Sequence, residues 1–189
     1  MAPWLVELAR NAPGLVRSYL PGSPIDARTR ERVILAVTEV DGCRWCAWVH
    51  GAWSEYLGDS AEDAAEAEQA LLDFARACAA AGRPVDATSL AVVLPRDAVM
   101  AVRATVAQIG AAGVVGRRAD ALLDRLRGRR RFAPTAMAVE AATVAVALPV
   151  AAPLVATAAV MRLTSRLAPP LPPVDVDDEA NLLVHLLAR

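Results

Sequence analysis

Two cysteines three residues apart, followed four residues later by a histidine, are the side chains best placed for chemistry: Cys43, Cys46 and His50 in GCRWCAWVHG. On an α-helix, at about 100° per residue, all three fall within an arc of roughly 60° and share one face. Cys43 sits at the expected start of that helix, just after Asp41-Gly42. Unpaired backbone N–H groups and the positive end of the helix dipole lower a thiol pKa there. A thiolate can attack a peroxide oxygen and become a sulfenic acid, which a second thiol three residues away can convert to a disulfide. Proton transfer needs a further pair of groups, and His50 with Glu31 on the preceding helix can supply it.

Blander readings stand beside this one. Two thiolates and an imidazole also make half a zinc site, but no second ligand pair accompanies them, so no metal is expected. The pair could also be structural, the lesser of the two readings. Cys78, inside LLDFARACAAA, reads as a small buried hydrophobe. His185, among leucines near the C-terminus, has no evident partner, and Glu39 and Asp41 lack the register of Glu31 and read as surface and turn residues.

The stretch DARTRERVILAVTEVDGCRWCAWVHGAW resembles the signature of the alkylhydroperoxidase D-like, carboxymuconolactone decarboxylase superfamily. That signature is a glutamate, eleven intervening residues, C-x-x-C, three residues and a histidine, and Glu31, Cys43, Cys46 and His50 fill it without a gap. The likeness is clearest over residues 24–82, where EQALLDFARACAAAG is similar to the family's next helix. It continues weakly in VVGRRADALLDRL and covers about half of the chain. It implies a thiol-dependent peroxidase in which Cys46 is peroxidatic, Cys43 is resolving, and His50 and Glu31 form a water-assisted proton relay. It also implies a homo-oligomer with no bound cofactor, reduced by an external dithiol such as a lipoyl-bearing or thioredoxin-like protein. The helix-terminus argument instead makes Cys43 the more acidic thiol, so the order of the two sulfurs stays open.

One position departs from the family pattern: its best-studied peroxidases have a histidine immediately before the second cysteine, and this chain has Trp45. Trp45, Trp48 and Trp53 would give an apolar substrate pocket, suited to organic hydroperoxides more than to hydrogen peroxide. Two other functions remain on the same scaffold: non-redox decarboxylase-like chemistry on lactones, as in some relatives, and a non-catalytic binding or assembly module.

The elements that must position these residues read as helices. The 189 residues are 56% hydrophobic but only 4% aromatic, a balance that predicts an all-α helical bundle. Residues 1–130 are expected to form the helical domain and 131–189 an apolar helical extension and tail. Pro3 to Leu20 should make two short helices interrupted at Pro13-Gly14, packed as a lid or brace. Ser23-Pro24 should cap a helix running to Val40, stopped by Asp41-Gly42, with the cysteine helix ending at Gly58. Ser60 is the expected cap of a helix over 61–81, closed by Gly82. A helix from Pro95 or Asp97 to Ile109 should break at Gly110, Gly113 and Gly116 and resume from Arg117 to Arg127.

Net charge is −1 and every basic residue is arginine, seven of them between positions 117 and 131. Without a global positive field or interleaved aromatics, this cluster reads as a solvated helix face, and no nucleic-acid partner is expected. MAPWLVELARN has no basic region before an apolar stretch, and three cysteines do not make a disulfide framework, so a reducing cytoplasm is expected. Residues 141–161 form an uncharged, mainly apolar run long enough to cross a membrane. Its alanines and its prolines at 149 and 153 favour a buried or subunit-interface helix over membrane association. The proline-rich 168–174 and a short helical pattern, EANLLVHLLAR, complete the chain.

Overall fold

Eight α-helices make up the regular structure of the computed structural model, which describes residues 2–58 and 66–167. They are α1 (Ala2–Arg10), α2 (Ala12–Arg17), α3 (Ala27–Asp41), α4 (Arg44–Tyr56), α5 (Glu66–Ala81), α6 (Thr88–Val93), α7 (Arg96–Leu126) and α8 (Pro134–Leu167). The all-helical bundle anticipated from composition is what forms. Helix α7 is its axis: α1, α2, α3, α4 and α8 pack on it, and α5 closes the far side of α3. Val33, Ile34 and Val37 of α3 meet Leu71, Phe74 and Ala75 of α5 and Val102, Val106 and Ile109 of α7 in the main core.

The capping residues set the boundaries. Asp26, not Ser23, caps α3: its carboxylate accepts from the Thr29 N–H at 2.8 Å and from the Thr29 hydroxyl at 3.0 Å. Ser23 donates instead to the Ile25 carbonyl. Pro24 therefore lies outside the helix, which starts three residues later than the sequence suggests. Gly42 (φ 67°) ends α3 and Gly58 (φ 68°) follows α4, both in the left-handed region that favours glycine. The expected cap at Ser60 and the start of the next helix lie outside the described residues.

Three expectations need correction. The N-terminal pair breaks at Asn11, whose side-chain amide donates to the Glu7 carbonyl and carboxylate at 3.0 Å each. Pro13 falls in the first turn of α2, where its missing N–H goes unmissed. Helix α7 does not break at its glycines but runs unbroken for 31 residues. Glycine costs a helix interior about 1 kcal/mol each, and close packing offsets that cost. A Cβ on Gly110 would lie 2.7 Å from the Trp4 ring, and Cβ atoms on Gly113 and Gly116 would collide with Asp41 and Cys43. Finally, the apolar run 141–161, expected to be buried or at a subunit interface, lies in α8 and is not buried among the described residues: only 11% of the helix's most apolar window is covered. Short α6 was not foreseen, and residues 168–189, including His185, lie outside the described part.

Candidate redox site

The site is built where the α3–α4 turn meets α7. Gly42 reverses the chain, Cys43 caps α4, and Cys43 and Cys46 are joined as a disulfide with their Cα atoms 5.3 Å apart. The Cys43 sulfur accepts from the Cys46 backbone N–H at 3.3 Å. That donor is one of the orphan amides of the helix start, placed where it would stabilise a thiolate on Cys43. Gly116 lets α7 lie directly on the pair: its absent Cβ would collide with the Cys43 sulfur and sit 3.7 Å from that of Cys46. Cys43 is 1% exposed and Cys46 8% exposed, so Cys46 is the more exposed residue of the pair.

One turn beyond Cys46 on the same helix, His50 Nδ1 lies 2.7 Å from Glu31 Oε2. The sequence-predicted carboxylate and imidazole are thus brought together across the α3–α4 turn. Glu31 is 5% exposed, and a carboxylate that deep requires compensation worth several kcal/mol. His50 supplies part of it. Arg30 adds a positive charge, its Nε 3.8 Å from the other carboxylate oxygen. Arg30 is itself held from the N-terminal segment: its guanidinium donates to the Ser18 carbonyl and stacks over the Tyr19 ring at 4.3 Å. The segment expected to be a lid or brace therefore packs on α7 while fixing the arginine behind the carboxylate.

With Glu31 ionised it can only accept, so His50 Nδ1–H is the donor and Nε2 is left to take or give a proton. His50, the sulfurs and the helix start then occupy two adjacent turns of α4, with Glu31 reaching His50 from α3. The tryptophans are divided among neighbours. Trp45 is 41% exposed and its Nε1 donates to Asp120 at 3.0 Å, and Asp120 also accepts from Arg44 at 2.8 Å. Trp48 faces Arg162 of α8, the guanidinium 5.5 Å from the ring centroid. Trp53 packs with Val49, Ala52, Ala158 and Met161 between α4 and α8. A cavity of about 360 Å³ opens elsewhere, beside α1, lined by Glu7, Arg10, Arg83 and Arg103 and by none of the four redox residues.

Other candidates fall away from the sulfurs. Cys78 is fully buried, its thiol pushed up by burial although it accepts from the Val85 N–H at 3.4 Å. Glu39 is exposed beside Arg76 at 3.6 Å. Asp41, expected at the turn surface, is largely covered by α7 and paired with Arg117. Among the described residues no group of three or more His, Cys, Asp or Glu side chains is arranged to hold a metal ion. Sequence reasoning missed Arg30 and Gly116. Arg30 adjoins Glu31 in a run of three alternating arginines, and its burial could be sensed only from the helix face it shares with the core. No protein-family model, curated protein or solved structure matches the chain.

Proposed function

We propose that this chain is a thiol-dependent peroxidase of the alkylhydroperoxidase D-like kind, reducing organic hydroperoxides through a Cys43/Cys46 dithiol–disulfide cycle. The observation that carries this reading is the pairing of the two sulfurs at the start of α4, one turn from the buried His50–Glu31 hydrogen bond. Greater exposure favours Cys46 as the sulfur that meets substrate. The backbone N–H on the Cys43 sulfur suits that cysteine to resolving and to leaving as a thiolate.

In the forward half-cycle the Cys46 thiolate attacks the terminal oxygen of ROOH. The S–O bond forms, the O–O bond breaks, and the departing alkoxide takes a proton from the His50 side of the relay to leave as ROH. The Cys43 thiolate then attacks the sulfenic sulfur of Cys46, the S–S bond forms, and hydroxide leaves as water with a second proton. An external dithiol closes the cycle. One of its thiolates attacks Cys46, Cys43 leaves, and the second thiol resolves the mixed disulfide, so the donor is oxidised as the enzyme pair is reduced. The exposed indoles of Trp45 and Trp48 flank this helix and favour an apolar R group.

The test is stopped-flow consumption of cumene hydroperoxide by the pre-reduced protein, with mass spectrometry for a Cys43–Cys46 disulfide after one turnover. One disulfide should form per peroxide consumed, and the Cys43→Ser/Cys46→Ser double variant should be inert. Undiminished turnover by that variant would dispose of the reading.

A further inference from the structure

The walls of the cavity beside α1 follow from three local features. Pro3, Val6, Glu7 and Arg10 recur at helical spacing, so one face of α1 lines it. A second wall comes from the end of α5, where Gly82 stands at φ 63° and the Gly82 and Arg83 N–H groups donate to the Ala79 and Cys78 carbonyls, closing a Schellman turn. That turn delivers Arg83, Pro84 and Val85, with the Val85 N–H anchored on the Cys78 sulfur at 3.4 Å. Arg103 of α7 completes the lining.

Charge in this cavity is unbalanced. Glu7 is taken by Arg103, whose guanidinium donates to one carboxylate oxygen at 2.5 Å, and by the Asn11 amide at 3.0 Å. The next carboxylate along the chain, Asp86, accepts from the Thr88 hydroxyl at 2.7 Å. Arg10 and Arg83 line the same space with no carboxylate partner among the described residues, so three arginines and one glutamate leave two positive charges there. Elsewhere the fold pairs its arginines, as in Arg17 with Asp97, Arg44 with Asp120 and Arg125 with Glu140. Arg10 and Arg83 come from distant parts of the chain, so tertiary packing and not a basic run brings them together. Gathering like charges in a concave space costs free energy that a bound anion offsets.

We propose that this cavity binds a small-molecule phosphate monoester with an apolar body. Two uncompensated guanidiniums match the nearly double negative charge of the phosphate, and their planar forks match its oxygens. Pro3, Val6, Pro84 and Val85 supply apolar contact, and Val6, 49% exposed, is surface that the ligand covers. The volume of about 360 Å³ falls within the range of small-molecule pockets and accommodates a phosphate and one ring. The site shares no residue with the thiol chemistry and does not depend on it.

The test titrates phenyl phosphate by calorimetry into the full chain with its disulfide formed, at low salt. Saturable one-to-one binding is expected, roughly tenfold tighter than that of inorganic phosphate, which lacks the apolar body, or of benzoate, which carries a single charge. Arg10→Gln and Arg83→Gln should each weaken it by about tenfold, the loss of one charge-assisted contact. Arg127→Gln, at the far end of α7, should leave it unchanged. Cys78, the free thiol behind Val85, gives a second reading. At about ten times Kd, phenyl phosphate should slow its reaction with a disulfide reagent about tenfold, because only chains with that wall opened react. Absence of saturable binding at millimolar phenyl phosphate, undiminished binding by the Arg10→Gln/Arg83→Gln double variant, or equal affinity for inorganic phosphate or benzoate would each overturn the assignment. Binding seen only after Asp175→Asn, Asp177→Asn, Asp178→Asn and Glu179→Gln would overturn it too, by making the chain's own acidic segment the occupant.

Discussion

The corner where α3, α4 and α7 meet and the outer face of α8 obey opposite halves of one rule. In the corner, groups that water would otherwise solvate are buried beside partners within the chain: Glu31 has His50 and Arg30, and the Cys43 sulfur has the Cys46 amide. On α8, groups that water disfavours are exposed over about six helical turns and find no cover among the described residues. Burial in the corner is offset by pairing, whereas the exposed apolar surface of α8 has no such compensation among the described residues.

Four measurements would sharpen or break this contrast. The largest effect should come from Cys46→Ser, which removes the more exposed cysteine of the pair and should reduce peroxide consumption to the uncatalysed rate. Cys43→Ser should instead leave one turnover, stalled at a sulfenic acid detectable by dimedone labelling. Next comes Glu31→Gln, which keeps volume but removes the carboxylate's charge between His50 and Arg30. Chemical denaturation should show a loss of about 3 kcal/mol, and peroxide reduction should slow roughly 100-fold. Wild-type rates in that variant would show that the buried pair serves folding alone.

Gly116→Ala is the third. Glycine to alanine inside a helix ordinarily stabilises by about 1 kcal/mol, but here the added methyl meets the Cys43 sulfur. The sign should reverse, to a loss of about 1–3 kcal/mol, seen as a lower thermal midpoint. The smallest effect belongs to Cys78. Burial raises its thiol above the ordinary value of 9.0, so the folded state holds that proton more tightly than the unfolded chain does. Its contribution is intact below that value and declines as pH rises through it toward the folded-state pKa. Cys78→Ala should flatten the alkaline limb of stability against pH.

Much of the corner was legible beforehand because its determinants are local. Helical periodicity alone puts Cys43, Cys46 and His50 on one face, and Asp41-Gly42 marks the turn that folds Glu31 back toward them. Where local signals competed, the reading was less secure. Ser23 and Asp26 are both good caps, and the choice fell to the residue whose carboxylate reached Thr29. Glycines at 110, 113 and 116 look like breakers in a sequence, because the penalty is visible there and the compensating contacts with Trp4, Asp41 and Cys43 are not.

By itself, then, the sequence determined the helical class, the turn glycines at 42, 58 and 82, and the alignment of two thiols with an imidazole, since each follows from backbone geometry over a few residues. Only the tertiary structure decided that Arg30 stands behind Glu31, that α7 stays whole so as to lie on the sulfurs, and that the most apolar helix faces outward. Those outcomes rest on which surfaces exclude water from one another, a property of segments far apart in the chain that no local pattern encodes.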